Sequence, residues 1–136
     1  METKALNYLS LARKGGMAEL GEEPVGAVSR TGKAYVVLVA SDASDHTWRR
    51  AKSFVAGTEQ QCVRVPFTKE EVGFVIGRTS LAIAAITDVQ LALALVKSLV
   101  KPEPQALEVL SAKAEKAKKR RSEAKAHQRN LRKGKK

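Results

Sequence analysis

Two short apolar runs set the strongest limit on how this chain can fold. The runs are AYVVLVA at 34–40 and LAIAAI at 81–86, and polar residues follow each of them at once. A strand that is apolar on both faces is typical of the interior of a largely parallel sheet with helices on either side. The two runs therefore predict central strands of an α/β domain.

Helical patterns alternate with strand patterns along the first hundred residues. We predict helices at 2–14, 22–30, 44–56, 68–77 and 87–100, and two further strands at 17–20 and 62–66. Thr68 with Glu71, and Thr87 with Gln90, have the spacing of capping boxes at the start of two helices. The alternation predicts an α/β fold, a three-layer α/β/α sandwich with a mixed four-stranded sheet.

The positive charge of the chain is concentrated near its C-terminus. Residues 1–110 contain 13 Lys/Arg and 12 Asp/Glu, whereas residues 111–136 contain 12 Lys/Arg and 2 Asp/Glu. Pro102 and Pro104 mark the change, so we predict a domain at 1–101 and a basic C-terminal tail at 102–136, disordered or partly helical. Beyond residue 110 the tail has one large aliphatic residue, and we expect no apolar face that could dock on the domain.

A basic tail of this kind attracts polyanions, because Lys and Arg contacts with phosphates release counterions. The densest group of cations is Lys118, Lys119, Arg120 and Arg121, and we predict that it contacts phosphates. No apolar run reaches the length of a membrane span, and Cys62 is the only cysteine. We therefore expect a soluble protein of the reducing cytoplasm.

The polar cluster SDASDH at 41–46 raises the alternative of Ser-His-Asp catalysis. Its residues are adjacent in sequence and lack the G-x-S-x-G turn that presents a nucleophilic serine. Ser44 or Asp42 can instead cap the following helix, and Asp45 lies in the first turn, where the helix dipole favours a carboxylate. We favour this structural role and expect no enzymatic activity, no metal and no cofactor.

Two short loops are the better candidates for ligand binding. Gly21 allows a backbone to approach a ligand closely, and the amides that open the second helix lie beside it. The segment Arg78-Thr79-Ser80, before the last strand, offers a cation and two hydroxyls. If the loops are neighbours, they form a compact surface for nucleic acid. Otherwise they are an ordinary helix start and an ordinary turn.

The order of several motifs resembles that of a known family. The motifs LARKGG, GEE, RTGKA, VLVASDAS, TKEE and AITD follow one another between residues 4 and 100. Together they resemble the kink-turn-binding ribosomal protein family, the L-seven-Ae and L-thirty-e superfamily, and most closely its bacterial YlxQ-like branch. The basic tail lies outside this resemblance.

The resemblance implies an α/β/α sandwich that binds structured RNA, above all a kink-turn, which is an asymmetric internal loop with sharply bent flanking helices. The RNA-binding residues that it implies are Gly21, Glu22 and Glu23 at the helix start, and Arg78, Thr79, Ser80 and Leu81 before the last strand. Recognition of exposed loop bases and of shape suits such a surface.

One departure from the family concerns the start of the second helix. The family commonly has an Asn-Glu pair there and a lysine a few residues later, whereas this chain has Glu23-Pro24 and Ala27. Without that lysine a phosphate or base contact is lost, so we expect weaker or altered kink-turn recognition. Lys14, Arg30, Lys33 and the tail are expected to supply compensating charge.

Charge and resemblance together predict a non-enzymatic RNA-binding protein, associated with the ribosome, in which the domain selects RNA shape and the tail raises affinity. The expected partners are ribosomal or other structured RNA, and ribosomal proteins, and the expected state is a monomer. A protein–protein adaptor of the same fold, with non-specific RNA affinity from its tail, is the alternative.

Overall fold

The computed structural model describes residues 3–134, with the burial of side chains described for residues 4–127. Its helices are α1 (Thr3–Lys14), α2 (Glu22–Arg30), α3 (Asp45–Val55), α4 (Lys69–Val75), α5 (Val89–Lys97) and α6 (Pro104–Gly134). Its strands are β1 (Ala18–Leu20), β2 (Val36–Val39), β3 (Gln61–Arg64) and β4 (Ile83–Ile86). The predicted helices and strands before residue 101 are present in the predicted order. The predicted start of the first helix at Glu2 lies outside the described residues.

The sheet is mixed, and its strand order is β1-β4-β2-β3. β4 pairs antiparallel with both β1 and β2, whereas β2 and β3 are parallel. The predicted mixed four-stranded sheet is confirmed, but the largely parallel arrangement expected from the apolar runs is wrong. Every residue of β2 and β4 is buried because helices cover both faces of the sheet, and this burial does not depend on strand direction.

Helices form the two outer layers of the sandwich. α2 and α3 pack together on one face, and α1 contacts α4 and α5 on the other. The core between the layers contains aliphatic side chains from strands and helices, among them Val25, Val37, Ile86 and Leu95, each at most 2% exposed. This arrangement is the predicted α/β/α sandwich.

Polar side chains cap α3 and α4 as predicted. The Ser44 hydroxyl accepts a hydrogen bond from the Thr47 amide at 3.2 Å, so the capping interpretation of the polar cluster is confirmed. Thr68 and Glu71 form the predicted capping box, in which each side chain accepts from the other residue's amide. Caps of this kind typically contribute about 1 kcal/mol each.

The start of α5 differs from the prediction. Asp88, rather than Thr87, caps the helix by accepting from the Leu91 amide at 3.0 Å. The Thr87 amide donates to the Met17 carbonyl and so continues the pairing of β4 with the segment before β1. The helix therefore begins one residue later than expected. Gln90 therefore closes no capping box, and its side-chain amide donates to a carbonyl of α6 instead.

The C-terminal helix α6 departs most from the sequence prediction. Ala106, Leu110 and Ala114 lie four residues apart on one side of the helix and are buried against the domain. The expectation that the tail has no apolar face to dock is therefore wrong as far as Ala117, which is still partly buried. Alanine side chains are enough to form this buried face, because their small size lets the helix pack closely on the domain. Across residues 3–134, none of the helices, including this long charged one, could cross a membrane.

Candidate nucleic-acid interface

Antiparallel pairing of β1 with β4 brings the two candidate loops together. Gly21 follows β1, and residues 78–81 come shortly before β4. The Gly21 amide donates to the carbonyl of Ile83, the first residue of β4, at 3.0 Å. The two loops therefore leave the sheet side by side, at the same edge.

The ends of β2 and β3 complete this edge. β2 is antiparallel to β4 and parallel to β3, so both strands end where β4 begins. The Ser41 amide donates to the Phe67 carbonyl, and the Asp42 carboxylate accepts from the Lys69 amide, both at 2.8 Å. Residues 21–23, 41–45, 64–71 and 77–82 lie together at these strand ends, and we name the surface that they form the loop end. The surface at the opposite ends of the strands is the far end.

The start of α2 is built differently from the starts of the next three helices. Gly21 precedes α2 with φ 99° and ψ 163°, a conformation that strains any residue with a side chain. Side chains cap α3, α4 and α5, whereas none of the described side chains caps α2. The amides of Glu22 and Glu23 are thus left for solvent or a ligand, and Pro24 has no amide to satisfy.

Arg50 of α3 extends over the first turn of α2. Its Nε lies 2.7 Å from Oε1 of Glu22, and the two side chains are 50% and 38% exposed. The guanidinium group also lies 5.3 Å from the centre of the Phe54 ring. A cation therefore stands near the helix start in a chain that has Ala27 where the family has lysine. Sequence reasoning missed Arg50, because the pairing depends on how α2 and α3 pack.

The loop before β4 lies directly on α4. A Cβ atom on Gly73 would stand 2.7 Å from the Ser80 Cα and 2.9 Å from the Arg78 carbonyl oxygen, so a side chain there would displace the loop. Arg78, Thr79 and Ser80 are exposed, as a binding role requires. Leu81 is only 6% exposed and its side chain anchors the loop in the core, so an RNA contact at this residue stays a prediction for its backbone.

Phe74 is a second residue that sequence reasoning missed. Its side chain is 83% exposed, and it lies in the last turn of α4, four residues before Arg78 in the sequence. An exposed aromatic ring is suited to stacking on an unpaired base. No sequence signal singles it out, since the apolar segment GFVIG that contains it is typical of a buried helix.

Three of the predicted cationic residues lie away from the loops. Lys14 ends α1 just before β1, Arg30 ends α2, and Lys33 precedes β2. All three are exposed, and all three lie at the far end, where β1 and β2 begin. The structure therefore does not bring them together with Gly21 and Arg78.

The basic part of α6 also lies at the far end. Lys113 Nζ pairs with Glu59 Oε2 at 2.9 Å, next to the start of β3. The ammonium group lowers the pKa of the Glu59 carboxyl, first through the hydrogen bond and then through its charge. The predicted phosphate contacts at Lys118–Arg121 follow this ion pair along the helix and are exposed. The predicted site residues thus form two groups, at opposite ends of the sheet.

The chemistry available at the loop end suits binding. Ser44 and Asp42 already accept hydrogen bonds from backbone amides at the starts of α3 and α4. In the described part of the chain, no three His, Cys, Asp or Glu side chains are grouped closely enough to hold a metal ion. Cys62 is partly buried away from this surface, and burial raises the pKa of its thiol to about 11.

Comparison with known proteins identifies the family. No protein-family profile matches the sequence. Among solved structures, a protein of unknown function from Bacillus halodurans C has a TM-score of 0.66 at 22% identity, over 72% of this chain and 98% of that chain. The 15.5 kD RNA-binding protein of Giardia lamblia has a TM-score of 0.62 at 17% identity, over 76% and 88% of the two chains. Both share the fold.

The evidence from sequence identity is more specific. The RNA-binding protein YlxQ of Enterococcus faecium is 36% identical to this chain over 75 residues, which are 55% of this chain and 72% of that protein. Such identity over most of a relative's length, together with the shared fold, shows that the chain belongs to the YlxQ branch of the L-seven-Ae family.

Proposed function

We propose that the protein binds structured RNA through the loop end and prefers a kink-turn. The observation that carries the proposal is the pairing of β1 with β4, because it makes one surface of the Gly21 and Arg78 loops. Membership of the YlxQ branch supports it, since that relative is named an RNA-binding protein. Ribosomal or other structured RNA, with ribosomal proteins, is the proposed class of partners for a cytoplasmic monomer without catalytic activity.

Each part of the loop end has a role that its chemistry suits. The amides at the start of α2 donate to a phosphate or to the edge of a base. The Glu23 carboxylate accepts from amino groups of bases that a sharp bend exposes, and Glu22, whose Oε1 pairs with Arg50, accepts through its second oxygen. Arg78 contacts a phosphate, and the hydroxyls of Thr79 and Ser80 bond to ribose 2′-hydroxyls.

The charge of the loop end favours recognition of shape over general attraction. Its four segments contain three Lys/Arg and six Asp/Glu, and Arg50, which pairs with Glu22, adds a fourth cation. A surface with more carboxylates than cations repels phosphates that are not placed to suit it, so a regular duplex gains little there. General affinity for RNA then has to come from the basic part of α6.

The test compares a labelled kink-turn hairpin with a fully paired duplex of equal length. The protein for it has Lys118–Arg121 changed to Gln, so that non-specific binding is reduced. We expect this protein to prefer the hairpin, and we expect Arg78→Ala or Gly21→Val to remove most of the preference, since each contact of this kind is worth about 1–3 kcal/mol. Lys52→Ala, in the later half of α3 and outside the four segments of the loop end, is the control. Equal binding of the two RNAs by the unmutated loop end would contradict the proposal.

A protein–protein adaptor is the second candidate function. Phe74 favours it, because an aromatic side chain that is 83% exposed is the kind of residue that anchors protein interfaces. The adaptor hypothesis predicts a protein partner that copurifies without RNA and stays bound at high salt. It also predicts that Phe74→Ala abolishes binding of this partner. RNA that copurifies with the protein and is lost in Arg78→Ala supports the first candidate instead.

A further inference from the structure

Most of the excess positive charge lies away from the loops proposed to bind a kink-turn. Lys14, Arg30 and Lys33 are exposed at the far end, whereas the loop end has an excess of carboxylates. Residues 113–134 of α6 contain ten Lys/Arg and two Asp/Glu. The surface that attracts phosphates by charge is therefore separate from the surface that is shaped to select an RNA fold.

Three contacts determine the direction in which α6 carries this charge. Leu110 and Ala114 hold the early turns of the helix in the core, at 0% and 3% exposure. Lys113 pairs with Glu59 at 2.9 Å, and the Gln90 side chain donates to the Ala114 carbonyl at 3.0 Å. The helix is thus fixed to the domain at residues 110–114 and continues past the far end. Residues 118–134 add about 24 Å at 1.5 Å per residue.

The exposed part of α6 has cations on all sides. Lys118, Lys119, Arg120 and Arg121 are consecutive, and successive residues of a helix are about 100° apart, so the four side chains surround the axis. Every side chain from 118 to 125 is exposed. A helix that lies on a membrane surface needs an apolar face, and none exists among these side chains. A ring of cations instead fits the two rows of phosphates that border a groove of double-helical RNA.

We infer that the far end is a second RNA-binding surface, which binds the phosphates of a double-helical RNA segment other than the one at the loop end. The inference rests on the function proposed for the loop end and adds that one protein molecule holds two RNA segments at once. α3 runs from the loop end toward the far end and, with 11 residues, is about 16 Å long. The length of α6 beyond the domain increases this separation, so a single kinked loop does not reach both surfaces.

The experiment uses the full chain and two labelled RNAs. A short kink-turn hairpin carries a donor fluorophore, and a plain duplex carries an acceptor. We expect energy transfer between the two RNAs when the protein is added, and we expect the hairpin to stay bound as the duplex is titrated. If the duplex displaces the hairpin one for one, both RNAs use a single surface and the inference is wrong.

Two matched variants locate the second surface. The first variant changes Lys118–Arg121 to Gln. The second removes four charges outside both surfaces, at Lys4, Arg49, Lys52 and Lys97. We expect the first variant to lose duplex affinity by about tenfold or more, because several phosphate contacts disappear, while its hairpin affinity changes by less than about threefold. The second variant keeps both affinities within about threefold. An equal loss of duplex binding in both variants would overturn the inference.

The outcomes also separate this inference from the proposed function. If the energy transfer appears but the loop end shows no preference for the hairpin, the second surface stands and the proposed kink-turn preference fails. If the hairpin is preferred but no complex with both RNAs forms, the proposed function stands and the inference fails. Vesicles of anionic lipid that displace the duplex at equal phosphate concentration would show a membrane surface, and they too would overturn it.

Discussion

Gly73 determines how closely the loop before β4 lies on α4. Alanine there would place its Cβ within 2.7–2.9 Å of backbone atoms of Arg78 and Ser80, which cannot rotate away as a side chain can. We expect Gly73→Ala to reduce the free energy of unfolding by about 1–3 kcal/mol, as overpacking does, and to lower the preference for a kinked RNA. Urea unfolding and RNA titration measure the two effects.

Gly15→Ala is the matched control for this substitution. Its new Cβ would meet the terminal methyl of Met17 at 2.7 Å, which is the flexible end of a side chain. We expect little change in stability and none in RNA preference. If Gly73→Ala also leaves both quantities unchanged, the close packing of loop on helix does not shape the binding surface.

The Cys62 thiol links stability to alkaline pH. Burial raises its pKa from 9.0 to about 11, so as pH rises the unfolded chain loses this proton first. The contribution of the thiol to the free energy of unfolding is therefore unchanged below pH 9, and the free energy of unfolding falls as pH rises from 9 toward 11. The slope approaches about 1.4 kcal/mol per pH unit, which is the value for one proton.

Cys62→Ala separates this effect from the titration of other groups. We expect the stability of the unmodified protein to fall relative to that of the variant between pH 9 and pH 11, as measured by urea unfolding at each pH. Stability curves that stay parallel across this range would mean that the thiol is not protected by the fold.

The helices and strands before residue 101 could be predicted because local signals mark their ends. Gly16 and Gly57 stop helices, Ser44 and Thr68 start them, and the apolar runs fix the two central strands. Placement of the loops could be predicted only from the family resemblance, since strand pairing is a long-range property. Arg50 and Phe74 could not be predicted, because the positions of their side chains follow from tertiary packing.

The docking of α6 could not be predicted for two physical reasons. Pro104 suggested that the domain had ended, but proline is favoured in the first turn of a helix, and here it begins one. Ala106 and Ala114 are buried, yet alanines among lysines and glutamates form too weak an apolar pattern to indicate a face. The sequence-based domain boundary at residues 101 and 102 therefore separates a helix from the core on which it packs.

Two truncations test the role of α6. A chain that ends at Lys101 loses the buried Leu110 and both buried alanines. We expect its free energy of unfolding to be lower by about 2–5 kcal/mol or more, since truncating one large core side chain costs about that much. A chain that ends at Ala117 keeps this contact but lacks Lys118–Arg121, so it should be as stable as the full chain while losing much of its salt-dependent RNA binding. Thermal and urea unfolding measure the difference. Equal stability of the two truncated chains would show that α6 does not belong to the core.

In the molecule as a whole, the surface with the excess positive charge and the surface shaped to select an RNA fold lie at opposite ends of the sheet. At the loop end, Asp42 and Glu71 accept hydrogen bonds from backbone amides, so several of its carboxylates are used to build the loops. At the far end, the α6 side chains that are described beyond Ala117, at 118–127, make no such hydrogen bond to the domain. This division explains why net charge alone predicted a polyanion partner but could not indicate which surface selects it.

The projection of α6 past the far end has a kinetic consequence. A rod of cations held away from the domain widens the region of solution from which a double-helical RNA is captured, so we expect it to govern how fast that RNA associates. The loop end makes short-range contacts, so we expect it to govern how long a kinked RNA stays bound. Association of the one RNA and residence of the other are then set by different parts of the chain.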